Sequence, residues 1–146
     1  MPKKYKIGYT TGVFDMFHVG HLNILKRAKE QCEYLIVGVS TDELVENYKN
    51  KKTIIPFEDR VEILKAIKYV DQVVPQETMN KMNAHEKYRF NVMFVGDDWK
   101  NTEKWNKLEE ELASIGVDLV YFPYTKRVSS TILREKISDD SAVGAK

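Results

Sequence analysis

Apolar runs alternate with amphipathic stretches along this chain, which predicts an α/β fold: an open, doubly wound, mostly parallel sheet of five strands with helices on both faces. Three observations carry the prediction. Tyr34 to Val39 (YLIVGV) and Val92 to Val95 are continuous apolar runs, the pattern of strands buried on both faces. Tyr5 through Val39 reads as strand, helix, strand, a βαβ unit of roughly 35 residues whose crossover is almost always right-handed. The alternation then continues as far as Phe122, punctuated by Pro56, Pro75, Gly116 and Pro123.

Tyr5 to Thr10 is rich in β-prone residues and forms the first strand. Gly12 to His21 is a loop turning into a helix, where Leu22, Leu25 and Ala28 recur at helical spacing and Lys26, Arg27, Lys29 and Glu30 lie opposite. After the strand YLIVGV, Ser40-Thr41-Asp42-Glu43 offers N-cap chemistry for a helix that runs into a lysine-rich loop, Tyr48 to Lys52. Pro56 restarts the chain, and Val61, Leu64 and Ile67 predict a helix over Phe57 to Tyr69. Val70 to Val74 is a short strand closed by Pro75; Thr78 to Phe90 is read as a helix before the strand at Val92. Trp105 to Ile115 is a helix stopped by Gly116, Val117 to Phe122 the last strand, and Thr131 to Ile137 a final helix capped by Ser129 and Ser130.

At 146 residues the chain suits one domain, placed at 1–137, with the small and polar 138–146 as a disordered tail. Its 23 basic and 22 acidic side chains nearly cancel, so no overall field favours nucleic acid or an acidic membrane, and any phosphate-binding charge is local. Cys32 is the only cysteine, which excludes an internal disulfide framework and suits a reducing compartment. No apolar run approaches the roughly 20 residues of a membrane-spanning helix, and the lysines of MPKKYKIGYT are not followed by an unbroken apolar stretch. A cytoplasmic protein is expected.

In a sheet of this kind ligands bind beyond the carboxyl ends of the strands, and every chemically suggestive segment follows one. His18 and His21 lie three apart where loop becomes helix, so their rings can project from one face near a helix N-terminus that already favours an anion. Two imidazoles there can hydrogen-bond phosphate oxygens and stabilise charge on a transferring phosphoryl group. Gly12 permits close approach of the backbone, and Gly20 leaves room between the rings. Two histidines alone leave a zinc site or ordinary surface residues open, although neither Cys32 nor His85 has convincing spacing for a third ligand. Lys49 and Lys51 in KNKK would by themselves be a solvated loop, Arg60 in FEDR a surface ion pair, and Asp97-Asp98-Trp99 a turn with a buried indole.

The string GVFDMFHVGH resembles the G-x-F-D-x-x-H-x-G-H signature of the cytidylyltransferases, a branch of the HxGH nucleotidyltransferases. The resemblance runs from Lys6 to Ile137 and includes KRAK (Lys26 to Lys29), Ser40 to Glu43, YVDQVVP (Tyr69 to Pro75) and VGDDW (Val95 to Trp99); it is nearest to the members that use glycerol 3-phosphate. It implies a Rossmann-like fold, with His18, His21 and Lys51 in the catalytic role on the triphosphate. Gly12, Val13, Phe14, Asp98 and Trp99 would line the nucleotide site. Lys49 and Arg60 would serve the acceptor, as would Lys81 if a one-residue gap falls between Pro75 and Gly96. The family's last motif, R-T-x-G-I-S-T-T, is here Tyr124 to Thr131: Thr125, Ser129, Ser130 and Thr131 keep hydroxyls, while Tyr124 replaces the leading arginine and Arg127 the glycine. Arg127 can reach the same phosphates by another path, since its fork suits them.

The implied reaction is in-line attack of an acceptor phosphate on the α-phosphate of CTP. Glycerol 3-phosphate would yield CDP-glycerol and pyrophosphate, feeding a cell-wall or capsule polymer. Mg2+ would arrive bound mainly through the triphosphate, because nothing in the sequence looks like a dedicated carboxylate cage. Asp15, the carboxylate nearest the motif, is read as structural. A homodimer is implied. Within the class the alternatives are ethanolamine phosphate, choline phosphate or another polyol phosphate as acceptor, and ATP as donor. Outside it stand a regulatory nucleotide-binding domain without turnover and a nucleic-acid binder. The second lacks a wider basic surface and an aromatic stacking platform.

Overall fold

The structure is a computed structural model that describes residues 4–49, 52–78, 80–96 and 102–123. The predicted final helix and the 138–146 tail lie outside the described residues. Five strands, β1 (Tyr5–Gly12), β2 (Cys32–Ser40), β3 (Gln72–Gln76), β4 (Val92–Gly96) and β5 (Asp118–Phe122), form one sheet in the order β3-β2-β1-β4-β5. Every pairing is parallel, so the mostly parallel sheet expected from the sequence is wholly parallel among the described residues. The connecting helices are α1 (Val19–Gln31), α2 (Asp42–Lys49), α3 (Phe57–Lys65), α4 (Lys81–Tyr88) and α5 (Glu103–Ser114).

The apolar runs divide by the two-residue period of a strand. Leu35, Val37 and Val39 of β2 join Leu25 and Ala28 of α1 and Leu64 of α3 in one core, with Val92 and Phe94 of β4. Tyr9, Ile36, Met93 and Val95 point the other way and pack with Leu112 of α5 and the partly buried Met82 and Tyr88 of α4. Helices α1 and α3 thus cover one face, α4 and α5 the other. Each fully buried leucine, such as Leu25, Leu64 and Leu112, contributes about 1.5–3 kcal/mol. Among the described residues no helix is long and apolar enough to cross a membrane.

Most element ends fall within one or two residues of the sequence reading, and the differences at α3, β3 and α4 have structural reasons. The helix predicted to reach Tyr69 ends at Lys65, where Ala66 caps it through its backbone; Ile67, Tyr69 and Val70 still pack on the core from the turns that follow. The strand predicted to close at Pro75 is shifted to Gln72–Gln76 and contains that proline. An edge strand tolerates a residue without an N–H, and β3 is the edge. The helix expected over Thr78 to Phe90 shortens to α4, capped at its start by the Asn80 side chain and ended by Arg89 in the left-handed region at φ 52°.

The strand order reverses between β1 and β4. Connections from β1 proceed outward through β2 to β3, and those from β4 proceed the other way to β5. A crevice beyond the carboxyl ends of β1 and β4 is where such a sheet receives a ligand.

Candidate active site

The turn leaving β1 delivers the two histidines to that crevice. Phe14 and Met16 sit in the left-handed region, at φ 56° and 50°, conformations that cost about 1–3 kcal/mol each and persist only where the surroundings hold them. The Phe14 ring folds back over Gly12, where a Cβ would lie 3.1 Å from its edge; the glycine here makes room for a side chain of its own loop. Phe14 is buried, and its ring meets His21 edge-on at a centroid distance of 5.4 Å.

His18 is the N-cap of α1, and the two imidazoles close a reciprocal capping box. The backbone N–H of Gly20 donates to His18 Nδ1 at 3.0 Å, and the backbone N–H of His18 donates to His21 Nδ1 at 3.2 Å. An Nδ1 that accepts carries no proton, so each neutral ring holds its proton on Nε2. The rings stack with centroids 4.0 Å apart, which presents two N–H donors side by side at a helix N-terminus. Burial, then the neighbouring His18, pushes His21 down to about 4 against the partial opposition of Asp15; burial alone lowers His18. Both rings are therefore neutral donors at neutral pH, suited to phosphate oxygens.

Beside them, residues 52–56 are fastened down by charge. Asp15, buried in the same turn, accepts from the backbone N–H groups of Ile54 and Ile55 at 2.8 Å each. Arg60 projects inward from α3 and is 1% exposed. Its Nε donates to the Ile55 carbonyl at 2.9 Å, and its Nη1 to the carbonyls of Val13 at 2.7 Å and Ser40 at 2.8 Å. Nη2 pairs with Asp42 at the start of α2. Burial acts to raise the Asp42 carboxyl, but bonds from Thr53, the Phe57 backbone and Arg60 outweigh it and hold the group below its ordinary range. One guanidinium thus ties the end of β2 and the histidine turn to α2 and the 52–56 strap.

Lys81 reaches the end of β1 from the opposite face. It is the first residue of α4, only 6% exposed, and its amine lies 3.2 Å from the Thr11 hydroxyl. Burial, with a smaller effect of Lys104, brings that amine down to about 8. Gly12, Val13, Phe14, His18, His21, Arg60 and Lys81 accordingly gather around the carboxyl end of β1. Lys49 ends α2, with its side chain outside the described part, and Lys51, Asp98, Trp99, Thr125, Arg127, Ser129, Ser130 and Thr131 lie outside the described residues. Two neighbours of the site were not singled out in the sequence as site residues, Thr11 and Asp42; a threonine pair ending a strand and an acid opening the next helix are the signals that mark them. Among the described residues no cluster of three or more His, Cys, Asp or Glu is placed to hold a metal ion.

Comparison with known proteins identifies the family and the fold. The sequence profile of the cytidylyltransferase-like family matches residues 9–136. Glycerol-3-phosphate cytidylyltransferase of Bacillus subtilis is 36% identical over 88% of this chain and 95% of its own length. The enzyme of the same name from Staphylococcus aureus is 33% identical over 88% and 92%. FAD synthase of Pyrococcus abyssi is 42% identical over 77% of each chain. Among solved structures, a lipopolysaccharide core biosynthesis protein from Thermoplasma volcanium superposes with a TM-score of 0.69 at 24% identity, over 84% of this chain and 98% of that one, which shows the shared fold. A parallel sheet with paired histidines at its switch point, together with these matches, establishes that the chain belongs to the cytidylyltransferase-like family and is a nucleotidyltransferase.

Proposed function

We propose that the chain transfers CMP from CTP to the phosphate of a small acceptor, with glycerol 3-phosphate as the first candidate, giving CDP-glycerol and pyrophosphate. The observation that carries the proposal is the capping box, which occupies both Nδ1 atoms and leaves the Nε2–H groups of His18 and His21 as neutral donors beside the N-terminus of α1. Near-complete coverage of the glycerol-3-phosphate cytidylyltransferases supports the acceptor.

An oxygen of the acceptor phosphate attacks the α-phosphorus in line. The new P–O bond forms as the bond to the bridging oxygen breaks, and pyrophosphate leaves with that electron pair. The attacking monoester is already ionised at pH 7, so the site needs positioning and charge neutralisation, and no strong base. His18 and His21 donate to the phosphates. Lys51 neutralises the triphosphate, and Gly12, Val13 and Phe14 shape the nucleotide side. Asp98, Trp99, Thr125, Arg127, Ser129, Ser130 and Thr131 complete it, and Lys49, Lys81 and Arg60 serve the acceptor side, Arg60 through the segments it ties together. Mg2+ comes with the triphosphate: the described residues fit no carboxylate cage, Asp15 being committed to two backbone N–H groups. The active species is a cytoplasmic homodimer.

The FAD synthases favour a second reading, in which an adenylyl group passes from ATP to a larger phosphorylated acceptor. Pyrophosphate release measured for CTP and ATP against glycerol 3-phosphate, ethanolamine phosphate, choline phosphate and flavin mononucleotide separates the two. CTP with glycerol 3-phosphate is expected to turn over fastest. Fast release from ATP with the flavin alone overturns the first reading in favour of the second.

A further inference from the structure

The turn that carries the two histidines is clamped on both sides of a strained residue. Phe14, at φ 56°, lies between Val13, whose carbonyl accepts from Arg60 Nη1, and Asp15, whose carboxylate accepts from the backbone N–H groups of Ile54 and Ile55. Both holds lead to the 52–56 strap, since Arg60 also binds the Ile55 carbonyl. Apolar packing does little to fix that strap. Ile54 is 52% exposed, neither isoleucine joins either core, and a hollow of about 290 Å³ separates the strap from α2, lined by Asp42, Glu46, Lys52, Thr53, Ile54 and Pro56. Hydrogen bonds to Asp15, Asp42 and Arg60 hold it instead. Among the described residues the strap contributes one side-chain bond of its own: the Thr53 hydroxyl donates to Asp42 Oδ1 at 2.8 Å. Arg60 Nη2 engages the same oxygen, while Oδ2 accepts from the Phe57 N–H at 3.2 Å.

We infer that Thr53 is a positioning residue for His18 and His21. Its bond pins the start of the strap to the start of α2 and, through the shared Oδ1, seats Asp42 against the guanidinium that holds Val13. Without that bond the strap is free where the hollow leaves it unsupported, and the displacement passes directly to the neighbouring N–H groups that Asp15 grips. A non-glycine residue in the left-handed region persists only while its surroundings over-determine it, so Phe14 relaxes when either flank loosens. The capping box of the two histidines closes the same turn, and the rings move with it. This rests on the nucleotidyl-transfer reading, in which those rings meet the phosphates. Thr53 acts through other groups and not on the substrate. Removing its hydroxyl strands no buried charge, because Asp42 keeps Arg60 and the Phe57 N–H.

The test has two arms. In the first, pyrophosphate release by Thr53→Val, which keeps the shape and removes the hydroxyl, is compared with Thr53→Ser, which restores it. Tyr5→Phe deletes the bond from Tyr5 to Asp118 at the amino end of the sheet and controls for lost stability. The valine variant is expected to lower kcat about tenfold with the acceptor KM little changed, the serine variant to recover it, and the control to leave it unaltered. The second arm needs no turnover and follows the imidazole nitrogen resonances of His18 and His21. With each Nδ1 accepting from a backbone N–H, the natural chain should show both rings as the Nε2–H tautomer. Thr53→Val is expected to move those signals toward tautomer exchange and Thr53→Ser to return them, with circular dichroism confirming the fold and Thr53→Ala replacing any valine variant that does not fold. Unmoved imidazole signals, an unmoved kcat, or a loss that serine does not recover overturns the inference. Absence of turnover in the natural chain with every donor and acceptor, beside imidazole signals that respond to Thr53, faults the transfer reading alone.

Discussion

His18 uses one ring nitrogen to hold the fold and leaves the other for a ligand, so a single substitution separates the two roles. Asparagine is among the best N-cap residues and keeps an acceptor for the Gly20 N–H, but it has no donor where Nε2–H stood. His18→Asn is expected to melt within about 2 °C of the natural chain, whereas His18→Ala loses a cap worth about 1 kcal/mol. Both should lower kcat by about 100-fold or more, and retained turnover in the asparagine variant would remove the Nε2 donor from the chemistry. His21 adds a pH dependence of definite sign. Folding holds its ring at about 4 against an ordinary 6.5. Above pH 6.5 both states are neutral and the contribution is complete. As pH falls toward 4 the unfolded chain binds a proton that the folded chain refuses, and up to about 3 kcal/mol of stability is lost. Urea midpoints between pH 4 and 7.5 should show that slope, flattened in His21→Gln. An identical slope in the variant would assign the loss to other groups.

Among the elements, α3 does most to shape the site, because it carries Arg60. A lysine at that position cannot reach three carbonyls and a carboxylate at once, so Arg60→Lys strands buried acceptors on Val13, Ser40 and Ile55. The expected cost is about 2–4 kcal/mol by chemical denaturation, with kcat falling more than KM for the acceptor changes. Intact stability with a raised acceptor KM would place Arg60 directly on the substrate. FEDR reads as a charged surface segment, yet Arg60 stands one helical turn before the fully buried Leu64, and that spacing is the signal for an inward side chain. Helices α1 and α5 were legible because their apolar spacing and the end signal at Gly116 agree; the end of α3 was not, because Ile67, Tyr69 and Val70 remain core residues after the helix stops. Strand β3 was misplaced by two residues because proline blocks a central strand and is tolerated at an edge, and edge position is a property of the assembled sheet.

At the scale of the whole molecule, the site draws on both faces of the sheet, and only the strand order brings them together. GVFDMFHVGH announces the histidines in the sequence, but the burial of Lys81 in MNKMNAHEK depends on where β1 ends beneath α4, which no local pattern records. The seam that joins the halves is short. β1 pairs with β2 from Tyr5 to Gly12 and with β4 only from Gly8 to Thr10, so Thr11 and Gly12 continue without β4 and the crevice begins there. At the last shared pair the buried Thr10 hydroxyl donates to the Phe94 carbonyl at 2.8 Å. Thr10→Val keeps the shape and removes that bond, which costs about 1–2 kcal/mol of stability. The larger consequence is expected in binding: with the seam loosened, the histidine turn and the α4 side are no longer held at a fixed separation, and KM for nucleotide and acceptor should rise together. Thr10→Ser, which restores the hydroxyl, should recover both constants. If the valine variant loses stability while both KM values stay unchanged, the β1–β4 seam supports the fold without setting the width of the site.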